Sequence, residues 1–398
     1  MRSDWPNLWH LQVFLTVAET HNLSTAAAKL LLTQPAVSQA LAGLEAHYAC
    51  DLARRVAGRV ALTGAGEILA MRAARTLALL SDGLREAIGA PSSKTIQLVR
   101  AISSARLEAL TAVVRHQSFT AASRALDVAA PTLHRAARDL EKSLGIVLFE
   151  ATSFGVRPSR QAEIVARAAS LAFAELRQAA AEIDAFMGRE TGRTVIGAMP
   201  LARSQLVPVS VEIFSRRHAN HRITIAEGAY DDLLVGLRRG DIDFLVGAER
   251  ADLSVKGVAQ EALFSDELAI VMRAGHPLIN VKRISIATLK QYPWIAPRAE
   301  SPLRQHFEQL FAPKSPPGNI IECNALGASR VMLMNSDRLA LLSDAQIQFE
   351  KSMGALESRP PPGGARKRSI ALTRRSSWRP TKTQEQLLAL LKENARMI

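Results

Sequence analysis

The side chains of this chain that could do covalent or acid–base chemistry are scattered. Cys50 and Cys323 stand alone, without metal-ligand spacing to any histidine. None of the nine histidines lies near a nucleophile or a carboxylate in a catalytic pattern. Gly-x-Ser-x-Gly, a phosphate-binding Gly-rich Lys loop and His-Glu-x-x-His are all missing from the sequence. Asp241 and Asp243 flank a strand start and read as solvated turn residues rather than an acid/base pair. No catalytic residue, metal site or cofactor is expected. The sequence instead offers hydrogen-bonding side chains at a helix start, Thr33-Gln34-Pro35-Ala36-Val37-Ser38-Gln39. A Gln amide and a Ser hydroxyl can donate to and accept from base edges or phosphate oxygens.

Three helices must position that segment. Leu11, Phe14, Leu15 and Ala18 keep helical spacing, so the first helix buries one stripe. A second helix is rich in small residues, Ala26 to Ala28, and lets a neighbour approach closely. Thr33 is placed as the N-cap of the third helix, and Pro35 lies in its first turn, where a missing N–H does no harm. The whole pattern recurs at a constant offset, with Pro131 answering Pro35 and Glu141 answering Glu45. Leu107, Leu110, Val113 and Val114 repeat the first helix, and Ala121 to Ser123 repeat the small-residue segment. This is the grammar of a helix-turn-helix, whose last helix enters the major groove with its N-terminal residues.

On these residues the chain resembles the LysR-type transcriptional regulators. Copy one keeps Thr33 to Ser38, Leu44-Glu45, Arg55 and a wing ending Leu62-Thr63, with Gly66 after it. Copy two keeps Ser118 to Ala122, Leu140-Glu141, Leu144-Gly145 and Leu148-Phe149. Both depart from the family pattern. Copy one has Tyr48-Ala49 in place of Leu-Gly and Ala53 in place of Phe. Copy two has Ala129 at the cap, Ala130 and His134 in place of Gln and Ser, and Ala151 where Arg55 stands in copy one. A Ser or Thr cap replaced by Ala costs about 0.5–2 kcal/mol, so the second reading helix is less firmly started. The resemblance assigns DNA binding to Thr33, Gln34, Pro35, Ser38, Gln39, Arg55 and Arg59, and to Thr132, His134, Arg135 and Arg138. Copy one is expected to read sequence and copy two to hold mainly the phosphate backbone.

Glu67 and Glu163 begin two long Ala- and Leu-rich segments, which the resemblance makes linker helices. In ordinary members such helices pair antiparallel between subunits. Here both lie in one chain, so they could pair within it as an internal pseudo-two-fold or each with another copy, and the sequence leaves both open. The net charge of +13 adds little to a DNA reading. Basic against acidic residues number 8 to 7 in 1–90, 13 to 10 in 91–192 and 29 to 20 in the rest. Much of the excess lies after Ser358, in Arg366-Lys367-Arg368, Arg374-Arg375 and Arg379, and reads as a solvated basic face.

After Thr191-Gly192 the periodicity changes. Short β-rich runs (Thr194 to Gly197, His221 to Ile225, Asp243 to Gly247) alternate with helical stretches (Ser204 to Phe214, Tyr230 to Arg239), which implies an α/β domain with a mainly parallel sheet. This region is similar to the two-lobed, periplasmic-binding-protein-like effector domain of the same family. Within the family it resembles the galactose-binding-protein regulator group, through Gly197-Ala-Met-Pro-Leu-Ala-Arg-Ser204, Gly240-Asp-Ile-Asp243, His276-Pro-Leu278 and Trp378-Arg-Pro-Thr381. Ligands of such sheets sit beyond strand carboxyl ends, near helix N-termini. The effector-binding candidates are therefore Leu201, Ser204, Gly247, Pro297, Ser301 and Leu303. Each serine could donate to an effector or simply cap a helix. Arg203 and Arg304 would favour an anionic effector if they point inward.

The expected architecture is multidomain: tandem all-α winged helix-turn-helix units with linker helices, followed by a two-lobed α/β periplasmic-binding-protein-like domain. The units are a first winged helix-turn-helix at 1–66, a first linker helix at 67–92, a second winged unit at 100–160 and a second linker at 161–190. The effector domain follows at 193–398, with lobe I at about 193–267 and 369–398 and lobe II at about 268–368. The expected function is sequence-specific regulation of transcription under control of a small effector, a sugar or small organic acid, held between the lobes. Its partners would be double-stranded promoter DNA and RNA polymerase, in a homo-oligomer. The rival is a small-molecule sensor acting through protein partners. Isolated cysteines, the absence of a long apolar run and a start unlike a signal peptide point to the cytoplasm and away from the membrane.

Overall fold

The computed structural model describes residues 5–153, 155–189, 191–250, 255–299, 301–364 and 366–397. The first unit is α1 (Leu8–Thr20), α2 (Leu23–Leu30), α3 (Gln34–Tyr48) and a hairpin of β1 (Ala53–Val56) and β2 (Arg59–Leu62). The hairpin turns on Ala57 and Gly58, both at positive φ (49° and 77°), the conformation of a two-residue turn that matches strand twist. Helix α4 (Gly64–Ile88) leads away, and α5 (Ser92–Ala101) folds back against α4 and α1, burying Thr95 and Val99. The sequence pattern did not foresee α5.

The same order then recurs as α6 (Ser104–His116), α7 (Phe119–Leu126), α8 (Ala130–Leu144), the hairpin β3 (Phe149–Thr152) with β4 (Gly155–Pro158), and α9 (Arg160–Phe186). The recurrence reaches individual hydrogen bonds. Glu45 Oε1 accepts from the N–H groups of Leu52 (3.0 Å) and Ala53 (3.3 Å). Glu141 Oε1 does the same for Leu148 (2.8 Å) and Phe149 (3.2 Å). Thr63 and Ser159 cap α4 and α9, and each hydroxyl donates to a carbonyl at the matching place, Asp51 and Val147. Each glutamate thus pins the end of a third helix to the start of its hairpin, where N–H groups would otherwise go unpaired.

Helices α4 and α9 pack antiparallel. At one end a Cβ added at Gly83 would come within 2.2 Å of Ala168 Cβ, so only a bare backbone allows this approach. Leu80 and Leu84 of α4 join Val165 and Ala169 of α9 in one core that also takes in Leu11 and Phe14 of the first unit and Leu110 and Val113 of the second. At the other end the packing is polar. Arg72, only 1% exposed, donates to Glu175 (2.9 Å), Gln178 (2.9 Å) and both oxygens of Glu182 (2.8 and 2.9 Å). Arg75 adds two bonds to Glu175. Burial pushes the Glu175 carboxyl up, but Arg75 and Arg72 outweigh it and hold the group below its ordinary value. Burial likewise works against the Arg72 charge and is outweighed by Glu182 and Glu175.

The remaining chain forms β5 (Arg193–Ala198), α10 (Pro200–Ser204), α11 (Leu206–Arg217), β6 (Arg222–Ala226), α12 (Tyr230–Arg239), β7 (Phe244–Ala248), β8 (Val258–Arg273), α13 (Ile286–Leu289), β9 (Trp294–Ala296), α14 (Pro302–Phe311), β10 (Ile320–Glu322), α15 (Leu326–Met334), β11 (Leu339–Ser343), α16 (Asp344–Ser352), β12 (Leu356–Arg359), β13 (Arg366–Arg375) and α17 (Lys382–Ala395). Among the described residues one nine-stranded sheet runs β10-β9-β11-β8-β13-β7-β5-β6, with β12 also on β8. The outer strands are parallel, as expected, but the centre is not: β8 and β13 are antiparallel to each other and to their neighbours. Both belong to both lobes, since the β8–β13 ladder extends from Val258 to Leu268 while β8 continues into pairs with β11 and β12. Separate cores fill the two lobes, around Phe214, Phe244 and Trp378 in one and around Trp294, Phe307 and Phe311 in the other.

Two expectations are corrected here. Asp243 is not a solvated turn residue: it is half-buried and accepts the Val195 N–H at 2.8 Å, and burial pushes its carboxyl up against the pull of Val195, Arg375 and Arg177. Asp241 is paired with Arg115 of α6 at 2.5 Å. The basic tail, too, is a solvated face only at Lys367 and Arg379. Arg366 to Arg375 is a central strand, in which Arg375 is buried and donates to the carbonyls of Leu237 and Ile242, and Arg368 is paired with buried Asp266 at 2.7 Å.

Two outcomes follow. Arg72→Met strands Glu182 and takes one of two arginines from buried Glu175, and should cost about 3–5 kcal/mol, read as lost hydrogen-exchange protection of α4 and α9; protection equal to wild type would show that the network does not hold the pair. Because the Glu175 carboxyl is depressed, its contribution is present above the ordinary value of 4.5 and is lost as pH falls through the lower folded value. Exchange in α4 and α9 should therefore accelerate below about that pH, and less so in Glu175→Gln.

Candidate nucleic-acid interface and effector cleft

Helix α3 starts as expected. Thr33 Oγ accepts the Ala36 N–H at 3.4 Å, Pro35 occupies the first turn, and Val37, Ala40 and Leu44 turn inward. Gln34, Pro35 and Gln39 are exposed, and Ser38 is half-buried. The Gln34 amide donates to Ser38 Oγ at 3.1 Å, so the two side chains are held together one turn apart on the outer face. Beside them the first wing exposes Arg55 and Arg59, and also Arg54, which the sequence reading passed over. Among the described residues these three arginines make no ion pair. A cationic wing next to polar helix residues can bind phosphates on one side and base edges on the other.

The second face differs in its chemistry. Ala129 gives no side-chain cap to α8. His134 is stacked on Phe119 with ring centroids 3.8 Å apart, which ties down the side chain that replaces Ser38. Arg138 is paired with Glu141 at 2.9 Å, and Arg157 of the second wing with Glu150 at 2.6 Å. Arg135 is exposed and Thr132 half-buried. The second face thus keeps cations but engages more of them within the protein.

Between the lobes lies a cavity of about 570 Å³, crossed at its floor by β13, which contributes Arg368 and Ile370. Such a volume suits a small effector, since ligand pockets typically measure about 300–1,000 Å³. Of the six sequence candidates, Pro297, Ser301 and Leu303 line it, where β9 gives way to the start of α14. Ser301 makes no cap bond to α14. Ser204 is corrected: it ends α10 rather than starting a helix, and its hydroxyl donates to the Pro200 carbonyl at 3.1 Å. Gly247 lies beneath Met199, whose Sδ would be 2.5 Å from an added Cβ, so this glycine seats the methionine that lines the cavity. Arg304 is also corrected, being occupied by Glu308, Glu322 and the Pro297 carbonyl. The side chains of Leu201 and Arg203 lie outside what the structure describes.

Sequence reasoning missed the polar groups that the cavity does hold. Arg250 lies over the Tyr230 ring at 4.3 Å, and its buried Nε has no hydrogen-bond partner among the described residues. Arg368 reaches both Asp266 and Gln346. Burial pushes the Asp266 carboxyl up, against the opposing pull of Arg368. The only signal available for Arg250 was a basic residue soon after a strand; Arg368 was visible but misassigned to a solvated face.

Hydrogen bonds join the helix pair to the domain that holds the cavity. Beyond Arg375, the turn that follows β13 presents the Ser377 carbonyl to Arg75 (2.6 Å) and the Arg379 carbonyl to Arg72 (3.1 Å). Gln178 of α9 meets Gln384 of α17 at 3.2 Å. On the side of the second unit, Arg177 of α9 donates to the Gly240 carbonyl, while burial pulls its guanidinium down to about 10.

Comparison with known proteins agrees with this organisation. The profile of the bacterial regulatory helix-turn-helix protein, lysR family, matches residues 8–67 and again 104–163, and that of the LysR substrate binding domain matches 187–396. The HTH-type transcriptional regulator GalR of Pseudomonas putida is 32% identical over 392 residues, covering 98% of this chain and 97% of that protein. The HTH-type transcriptional regulator PcaQ of Agrobacterium fabrum is 28% identical over 291 residues, 73% of this chain and 94% of its own length. Among solved structures, full-length OxyR from Pseudomonas aeruginosa superposes with a TM-score of 0.55 at 20% identity, covering 74% of this chain and 94% of that one. LysG from Corynebacterium glutamicum with bound effector Arg gives 0.53 at 15% identity, covering 74% and 98%. With a helix-turn-helix region at its N-terminal side and a two-lobed α/β substrate-binding domain behind it, the chain belongs to the LysR family of transcriptional regulators.

Proposed function

We propose that this regulator carries a duplicated winged helix-turn-helix and supplies from one polypeptide the pair of reading heads that usually needs two. The observation that carries the reading is the α4–α9 pair, which joins both units through a shared core and the Arg72 network. Offset equivalence also disfavours exchange with another copy. In an α9–α9 pair, Glu175 would face Ala168 and Leu171 in place of Arg72 and Arg75, leaving buried carboxylates unpaired. The proposed division is heads at 1–66 and 100–160, linkers at 67–92 and 161–190, and the effector domain at 193–398.

In this reading Gln34, Ser38 and Gln39 meet base edges from the cap Thr33 and Pro35 onward, and Arg55 and Arg59 hold phosphates. Thr132, His134, Arg135 and Arg138 serve mainly as backbone contacts. A small effector with acceptor oxygens, a sugar or organic acid, binds between Pro297, Ser301 and Leu303 on one side and Arg250 and Tyr230 on the other. By favouring one lobe arrangement it shifts β13 and the Ser377–Arg379 turn, and through Arg72 and Arg75 the angle between heads on promoter DNA. RNA polymerase recruitment is the readout, no catalytic step is involved, and the protein works in the cytoplasm as a homo-oligomer of two-headed chains. Among the described residues no helix is long and apolar enough to cross a membrane.

Footprinting upstream of the protein's own coding region, with random DNA as competitor, tests the reading. A competitor-resistant site that weakens as salt rises supports it. Purely competitor-sensitive binding, with and without candidate sugars and acids, would favour a sensor that works through protein partners. Gln34→Ala should relax discrimination among operator variants, while Arg135→Ala should weaken all sequences alike and lower the salt slope by about one. The division of labour fails if the two variants exchange these phenotypes. Residues 1–192 alone should have the mass of a single chain at low concentration; a fragment that is only dimeric would count against internal pairing.

A further inference from the structure

A second cavity, of about 350 Å³, lies where the helix pair docks on the effector domain and shares no lining residue with the interlobe cleft. Its apolar wall comes from Ile68 and Met71 of α4 and Ala185 and Phe186 of α9, and the effector domain closes it with the start of α17, Thr191, His218 and His221. Phe186 stands there because Gly64, at the head of α4, leaves room for its ring: an added Cβ would come within 2.4 Å of Phe186 Cζ. Met71 and Phe186 remain 40% and 58% exposed, large apolar side chains spared from the core on either side of one opening. Apolar concavities of this size are poor hosts for water and good ones for a ring-sized molecule.

The charges at the cavity are unequal in their availability. Glu182 is engaged through both oxygens by Arg72, which neutralises it. Lys382, exposed in the first turn of α17, makes no ion pair among the described residues. A negative head at that edge would meet Lys382 together with the positive end of a helix whose cap is already closed by Thr381 and Gln384.

We propose that this junction is a second ligand site, for a small aromatic or branched aliphatic monocarboxylate: the apolar body rests on Ile68, Met71, Ala185 and Phe186, and the carboxylate on Lys382. The ligand would touch the helix that carries the first head, the carboxylate partner of Arg72 and the cap of α17, which directly follows the turn gripped by Arg72 and Arg75, at once. Its binding is therefore coupled to the docking of heads on effector domain, and by reciprocity DNA binding changes its affinity.

Calorimetric titration of the full chain with phenylacetate, with 2-phenylethylamine as the charge-reversed control, tests this. Saturable phenylacetate binding should be weakened about tenfold by Ala185→Leu, which fills the cavity from an exposed helix position, and be unaffected by Leu303→Ala in the interlobe cleft. Lys382→Met should reduce the preference for the acid over the amine while leaving helix content unchanged by circular dichroism. The absence of saturable binding, or binding lost in Leu303→Ala and retained in Ala185→Leu, would overturn the proposal.

Discussion

A guanidinium taken out of water inside a helix pair must be met on every side, and Arg72 is met by Glu175, Gln178, Glu182 and the Arg379 carbonyl. That constraint organises much of the molecule. The charge cannot be left without its carboxylates, and these sit on a different helix, more than a hundred residues away in sequence. The fourth partner belongs to the effector domain. One side chain therefore binds α4 to α9 and both to the substrate-binding domain. A hydrophobic patch could supply comparable stability, but it would tolerate sliding; a set of directed charge-assisted bonds fixes register.

The two ends of the helix pair solve the same problem differently. Near Gly83 the backbones touch through Ala168, and shape complementarity alone specifies the match. Near Arg72 the match is chemical. Because the two helices are related by the sequence repeat but carry different residues at these positions, the pair is a heterodimer in one chain. The two units share the asymmetry: one has a capped third helix and wing arginines that make no ion pair among the described residues, the other an uncapped helix and arginines engaged by Glu141 and Glu150.

The effector domain joins this frame through β13. The strand lies across the centre of the sheet, has Arg368 in the cleft at one end, and passes into the turn that Arg75 and Arg72 grip at the other. Two of its arginines turn inward and close polar gaps: Arg375 takes two carbonyls and Arg368 a buried carboxylate. The strand is thus tied at both ends, to Asp266 and Gln346 beside the cleft and, through the turn that follows it, to α4.

The sequence by itself determined what depends on near neighbours along the chain: the cap at Thr33, the apolar stripes of α1 and α6, the recurrence of Glu45 as Glu141, the long helices, and the strand–helix alternation after Gly192. Period and cap chemistry are local, so they are legible. The tertiary structure alone decided what depends on partners distant in sequence. It turned Arg304 toward Glu322 and away from the cleft, placed Ser204 at a helix end, made most of the basic tail a central strand, and paired α4 with α9. Whether an arginine is a surface charge, a ligand contact or a structural bolt is set by which carboxylates and carbonyls reach it, and that information exists only once the chain has folded.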